Sequence, residues 1–183
     1  PDTLTVIRDR AILTLGLSGA FRRSELAALS VADVRFKRDE MIVTLRRSKT
    51  DQEGEGFIKR IPMLKDETIC PLRSVKAWLK AAQISEGAIF RSVDRWQCVR
   101  ADGLTDKSIA QVVKQAAQSV GLDPKQFAGH SLRTGFVTEG YNNGVAEADI
   151  MEVTGHRSLA VMRSYKRNAA TAQPKAVRAV FGE

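Results

Sequence analysis

A chain of 183 residues, 43% hydrophobic and 27% charged, can bury one sizeable core and reads as a single ordinary globular domain. It has no uninterrupted apolar run long enough to span a bilayer, so no membrane span is expected, and no signal peptide is visible at its start. A net charge of +8 with a pI near 9.8 favours a polyanionic partner, nucleic acid first, and a merely basic soluble protein stands beside it as the alternative.

Leu4 to Leu17 carries apolar residues at helical spacing (Leu4, Ile7, Ala11, Leu15, with Ile12 and Leu13 widening the face), and Ser18-Gly19 breaks the pattern. A second helix is predicted from Phe21 or Arg22 to about Leu29, burying Leu26, Ala27 and Leu29. Arg22 and Glu25 sit side by side on it, and taken alone they read as a weak surface ion pair. From Val34 the period shortens toward two. Met41, Val43 and Leu45 alternate with Ile42, Thr44 and Arg46, and a second strand covers Phe57 to Ile61 and ends at Pro62. Between the strands, Arg47 to Gly56 contains no apolar residue, and Lys49 projects from this hairpin.

Cys70 to Ala82 reads as a helix with Pro71 in its first turn and Leu72, Val75, Trp78 and Leu79 as its stripe. Gly87 to Gly103 reads as a loop with a short extended piece at Ala88-Ile89-Phe90. Its Arg91, Arg95, Trp96 and Arg100 suit either DNA contact or packing of Trp96 on the domain. Thr105 to Val120 is the clearest helix, capped by Thr105, striped by Ile109, Val112, Val113, Ala116, Ala117 and Val120, and closed by Gly121. Neither Cys70 nor Cys98 belongs to a CxxC or neighbours a histidine. The pair reads as two free thiols in a reducing cytoplasm rather than a zinc site. Pro1 in place of a methionine suggests a piece of a longer protein.

The remaining stretch, Gly129 to Tyr165, holds both histidines and ends on one of only two tyrosines. A helix is predicted from His130 to about Tyr141, which would put His130 and Arg133 on one face. Asn142-Asn143-Gly144 stops it, Ala146 to Val153 makes another helix, and Ser158 caps a last one through Lys166. His156 lies in the turn between, and Tyr165 follows in the last helix. Two imidazoles, a guanidinium and a phenol in one stretch point to chemistry on a phosphate. Tyr141 lacks such neighbours and reads as packing.

With these motifs in order, the chain resembles the catalytic domain of tyrosine recombinases of the phage-integrase type. FRRSEL carries Arg22 and Glu25, RRSKTD carries Lys49, GHSLR carries His130 and Arg133, TGHRS carries His156, and MRSY carries Tyr165. The resemblance implies an α+β fold, mainly α-helical, with a small antiparallel β-sheet at one edge. It implies one catalytic domain over residues 1–183, with the family's N-terminal DNA-binding domain absent from this chain. The implied activity is site-specific cutting and rejoining of double-stranded DNA through a 3′-phosphotyrosyl intermediate. Arg22, Lys49, His130, Arg133, His156 and Tyr165 are its catalytic residues and Glu25 supports them. No cofactor and no metal are implied. The resemblance further implies a homo-tetramer on DNA and a monomer without it, with residues 168–183 docking between neighbours through Val177, Val180 and Phe181. Two alternatives stand beside it: a DNA-binding module that does not cut, and a related DNA-relaxing topoisomerase. The target site and the biological role, whether phage integration, mobile element or chromosome maintenance, are not written in these residues.

Overall fold

The computed structural model describes residues 2–46, 56–128 and 130–155. Its first helix, α1 (Leu4–Ser18), starts where the Thr3 hydroxyl accepts from the Val6 amide and stops at Gly19, as the apolar spacing predicts. α2 (Arg23–Ala28) follows after one tight turn. β1 (Val34–Phe36), β2 (Glu40–Leu45) and β3 (Phe57–Pro62) form an antiparallel sheet in that order. α3 (Pro71–Ala81) opens on its proline, and α4 (Asp106–Ser119) on the Thr105 cap. α5 (Ser131–Asn142) and α6 (Glu147–Thr154) complete the described chain. The fold is α+β and mainly helical.

One core joins most of these elements. Ala11, Ile12 and Leu15 of α1, Leu26 of α2, Met41, Val43 and Leu45 of β2, Ile61 of β3, Trp78 of α3 and Ile109 of α4 are all buried. Trp78 is wholly inside and donates its indole N–H to the Ile89 carbonyl at 2.8 Å, which satisfies the one polar atom it carries into the core. α5 lies against α1 so closely that a Cβ on Gly16 would sit 2.4 Å from the Leu132 side chain. Glycine at this position therefore lets the start of α5 approach the middle of the domain. Val137 and Ile150 seal α5 to α6, with half-buried Tyr141 packed against them, as its lack of chemical neighbours suggests.

Three details depart from the sequence reading. Residues 91–103 form a hairpin rather than a loop: β4 (Arg91–Val93) pairs with β5 (Val99–Gly103). These strands are short and polar, so they carry no alternation to read. Trp96 at the tip is 66% exposed with Arg95 stacked on its ring at 4.0 Å, so it does not pack on the domain. Val120 is exposed because α4 ends one residue earlier, at Ser119, and the chain turns at Gly121.

Candidate functional site

Arg22 stands just before the first turn of α2, held by a carboxylate one turn on. Its backbone amide donates to Glu25 Oε2 at 2.8 Å and its Nη1 to Glu25 Oε1 at 2.6 Å. One carboxylate thus satisfies an orphan amide at the helix start and fixes the guanidinium's direction. Glu25 is only 6% exposed, and the Arg22 side chain is largely covered. The pair is therefore no solvated surface bridge, and the expectation drawn from its spacing alone does not hold.

Arg133 reaches the same place from α5. It is 2% exposed, and its Nη1 donates to the carbonyl of Ala20 at 3.0 Å, across 113 residues of sequence. Ala20 has a φ of 48°, in the left-handed region, so the chain turns sharply there and hands on to Phe21 and Arg22. The second guanidinium is thus anchored to the turn that delivers the first.

His130 is the residue immediately before α5, not a member of it. Its carbonyl accepts from the Thr134 amide at 2.8 Å, while the imidazole side is exposed. Arg133, in the first turn, is buried, while His130 just before it is exposed. Lys49, His156 and Tyr165 lie outside the described residues, as do the predicted last helix and residues 168–183. The described chain reaches Gly155, one residue before His156. Gly155 ends α6 at φ 68°, against the Phe57 ring.

The sequence reading passed over Lys59. On β3, Phe57, Lys59 and Ile61 point to the inner face, opposite Leu45, Val43 and Met41 of β2. Lys59 is 4% exposed, while Ile58 beside it is 62% exposed, an inversion of the ordinary polar-out pattern. Its ammonium lies 5.1 Å from the Phe21 ring centroid and 5.0 Å from that of Phe57, and it donates to the Val153 carbonyl. Burial pulls its pKa down to about 8; Glu25 opposes that shift, and Arg133 and Arg22 add to it. Lys59 therefore senses all three members of the Arg22–Glu25–Arg133 group. A signal for it existed: a lysine at the inward position of an alternating strand, flanked by Phe57 and Ile61.

Arg22, Glu25, Asp33, Thr44 and Arg46 also line an open cleft of about 410 Å³. Arg46, the last described residue before the hairpin loop, is held there by Asp33 at 2.6 Å. Each of the two cations in this cleft is paired with a carboxylate, Arg22 with Glu25 and Arg46 with Asp33. Among the described residues no group of three or more His, Cys, Asp and Glu stands close enough to hold a metal, and no helix is long and apolar enough to cross a membrane.

The comparisons with known proteins bear on this geometry. The Phage integrase family matches residues 2–172. An integrase/recombinase xerD homolog of Selenomonas ruminantium is 41% identical over 164 residues, covering 90% of this chain and 48% of that protein. Tyrosine recombinase XerA of Pyrococcus horikoshii is 30% identical, covering 88% of this chain and 50% of its own length. The chain spans about half the length of the curated relatives it matches. Among solved structures, XerH recombinase bound to palindromic difH substrate, in a post-cleavage complex, superposes with a TM-score of 0.72 at 18% identity. That likeness covers 100% of this chain and 48% of the other. XerA recombinase gives 0.66 at 19% identity, over 95% of this chain and 58% of the other.

Proposed function

From the premise that the chain belongs to the phage integrase family, we propose that it is the catalytic part of a site-specific DNA recombinase or integrase. The observation that carries the reading is the anchoring of Arg133 to the Ala20 carbonyl, two residues before Arg22. Arg133, from a distant part of the chain, is thereby tied to the turn that leads into Arg22, which lines the cleft, and two guanidinium groups suit one phosphodiester.

In this reading the Tyr165 oxygen attacks the phosphorus, a 3′-phosphotyrosyl bond forms, the bond to the 5′ oxygen breaks, and that oxygen leaves as a hydroxyl. A free phenol has a pKa of about 10 and needs a proton acceptor at neutral pH. His130, exposed at the start of α5, takes or orients that proton. Arg22 and Arg133 donate paired hydrogen bonds to the non-bridging oxygens as charge builds on them, and His156 adds a further donor. Lys49 protonates the leaving oxygen, a task open to an ammonium and closed to a guanidinium. Glu25 carries no chemistry and fixes the direction of Arg22. The scheme calls on no metal or cofactor, so a chelator leaves cleavage unchanged. The covalent link conserves the energy of the broken bond, so rejoining is the same step reversed.

The proposed partner is double-stranded DNA, met in the cytoplasm. The chain acts as a tetramer on two sites and is a monomer without DNA. An apolar groove of about 640 Å³, lined among others by Leu17, Leu64, Ile69, Phe136 and Val145, supports the docking of residues 168–183 from a second copy, through Val177, Val180 and Phe181. Sedimentation without DNA checks the monomer: a stable oligomer there overturns it.

The test of the reaction uses a pool of nicked duplex oligonucleotides of randomised sequence. The native chain forms a covalent protein–DNA adduct on a denaturing gel, and Tyr165→Phe forms none. If both bind DNA and neither forms adduct, the chain is a binding module. Relaxation of a supercoiled plasmid lacking partner sites would instead point to a topoisomerase.

A further inference from the structure

We infer that Lys59 is a positioning residue of the cleavage site: its ammonium clamps the C-terminal end of α6 to β3 beside Arg22, Glu25 and Arg133, and so sets where the chain leaves toward His156. The inference rests on the recombinase reading for its functional half. Its structural half stands on the geometry alone.

Four observations converge on it. Lys59 donates to the carbonyl of Val153, in the last turn of α6. That end of a helix carries partial negative charge and favours a cation, yet α6 has acids in its first turn and no basic residue in its last. Lys59, arriving from β3, supplies the missing charge. Phe57, two residues earlier on the same face, packs against Gly155, so β3 meets the end of α6 at two adjacent points. Phe21, immediately before Arg22 in sequence, sets its ring centroid 5.1 Å from the ammonium. The clamp thus touches the segment that delivers Arg22 and the segment that continues to His156.

The surroundings explain why the group is charged yet poised. The charged groups acting on it are Glu25 and Arg22 at the start of α2 and Arg133 from α5, while α6 presents a main-chain carbonyl and β3 the Phe57 ring. Glu25 favours the ammonium; burial and the two guanidinium groups oppose it, leaving a pKa of about 8. A lysine at a strand position with an apolar neighbour turned outward is a local rule broken at the site itself. The ammonium needs no contact with DNA to act. It works by holding α6, which distinguishes it from the leaving-group role assigned to Lys49.

The experiment compares the native chain, Lys59→Met, Lys59→Arg and Tyr165→Phe on the nicked oligonucleotide pool, together with amide hydrogen exchange. The expected result for Lys59→Met is an adduct rate at saturating DNA lowered roughly 10- to 100-fold, with half-saturation unchanged and a thermal midpoint at pH 7 no lower than native. Its Gly155 amide, which donates to the Met151 carbonyl at 2.7 Å, exchanges faster. The native adduct rate declines above about pH 8, and Lys59→Arg recovers most of the rate without that decline, since a guanidinium does not titrate there. An adduct rate within twofold of native in Lys59→Met, or unchanged exchange at Gly155, overturns the clamp. If Lys59→Met does not fold, the pH profiles of the native chain and Lys59→Arg decide, and superimposable profiles overturn it. If the native chain forms no adduct, the recombinase reading fails, and exchange alone decides whether the clamp exists.

Discussion

Arg133 donates to the carbonyl of Ala20 at 3.0 Å, and this bond fixes a catalytic candidate to the turn that launches another. The bond is buried, so its loss leaves a carbonyl without its donor inside the protein, at a cost of about 1–3 kcal/mol. Arg133→Ala therefore loses stability by that amount and cleavage by roughly 10²-fold or more, because a preorganised donor to the transition state disappears as well. Arg133→Lys separates the two effects. An ammonium can bond Ala20 or a phosphate oxygen but lacks the planar fork that does both. Its thermal midpoint stays near native while adduct formation remains slow. Equal recovery of stability and cleavage in Arg133→Lys contradicts the assignment.

Glu25→Gln tests the carboxylate that holds Arg22 and offsets the burial of the Lys59 ammonium. The amide can still accept from the Arg22 backbone N–H, so the start of α2 survives. The charge balance does not. Arg22 loses its carboxylate partner while largely covered, Lys59 loses the one charge that favours its ammonium, and breaking a buried pair on one side costs roughly 3–5 kcal/mol. Losing the favourable pull of Glu25 also lowers the pKa of Lys59 further below about 8. Urea unfolding should show the stability loss, and the alkaline decline in adduct formation should begin at lower pH than in the native chain. A decline at unchanged pH would disconnect Glu25 from Lys59.

How much of this was legible in the sequence depends on the kind of signal. α3 and α4 are strongly periodic, and Pro71 and Thr105 mark their starts, while α1 is a long, largely apolar run that Ser18-Gly19 ends. β2 announces itself by Met41, Val43 and Leu45 on one face. The β4–β5 hairpin escaped because its three- and five-residue strands are mostly polar and bury none of their residues. At the site, Arg22, Arg133 and Glu25 were found through short motifs, but the depth of Glu25 was not. Burial is a tertiary property, and α5, which meets this turn through Arg133, lies 113 residues away in sequence. Lys59 was missed for a related reason. Its neighbours Ile58 and Arg60 make the strand look two-sided, and only the pairing with Val43 reveals which side is inside.

Lys59 also makes the stability of the fold depend on pH with a definite sign. Its folded pKa, about 8, lies below the unfolded value of 10.5. The folded state therefore binds fewer protons in that window, and the native protein gains stability as pH rises from about 8 to 10.5, so far as this group is concerned. Below pH 8 the burial cost is fully present, on the order of 3 kcal/mol. Lys59→Met removes that cost but strands the Val153 carbonyl, worth about 1–3 kcal/mol. The variant is thus equal to or more stable than native at pH 7, and less stable at pH 10.5 and above. Denaturant unfolding at both values checks the crossover. A variant uniformly weaker at both would mean that Lys59 is neutral, or amply compensated, in the native fold.

Gly155 controls the last described step of the chain. Its φ of 68° is in the left-handed region, and a Cβ there would sit 3.4 Å from the Phe57 ring, an ordinary contact. Space is therefore not the obstacle; backbone conformation is. Gly155→Ala should cost about 1–2 kcal/mol through the left-handed penalty. Gly155→Asn should cost less, because asparagine visits that region readily. If the exit from α6 sets the approach of His156, the two variants should rank alike in cleavage and in thermal midpoint, with Ala the poorer. An alanine variant of native stability would show that the turn relaxes out of the left-handed region. In that case, slow adduct formation by the same variant would locate the loss in the path of the chain beyond Gly155, not in the stability of α6.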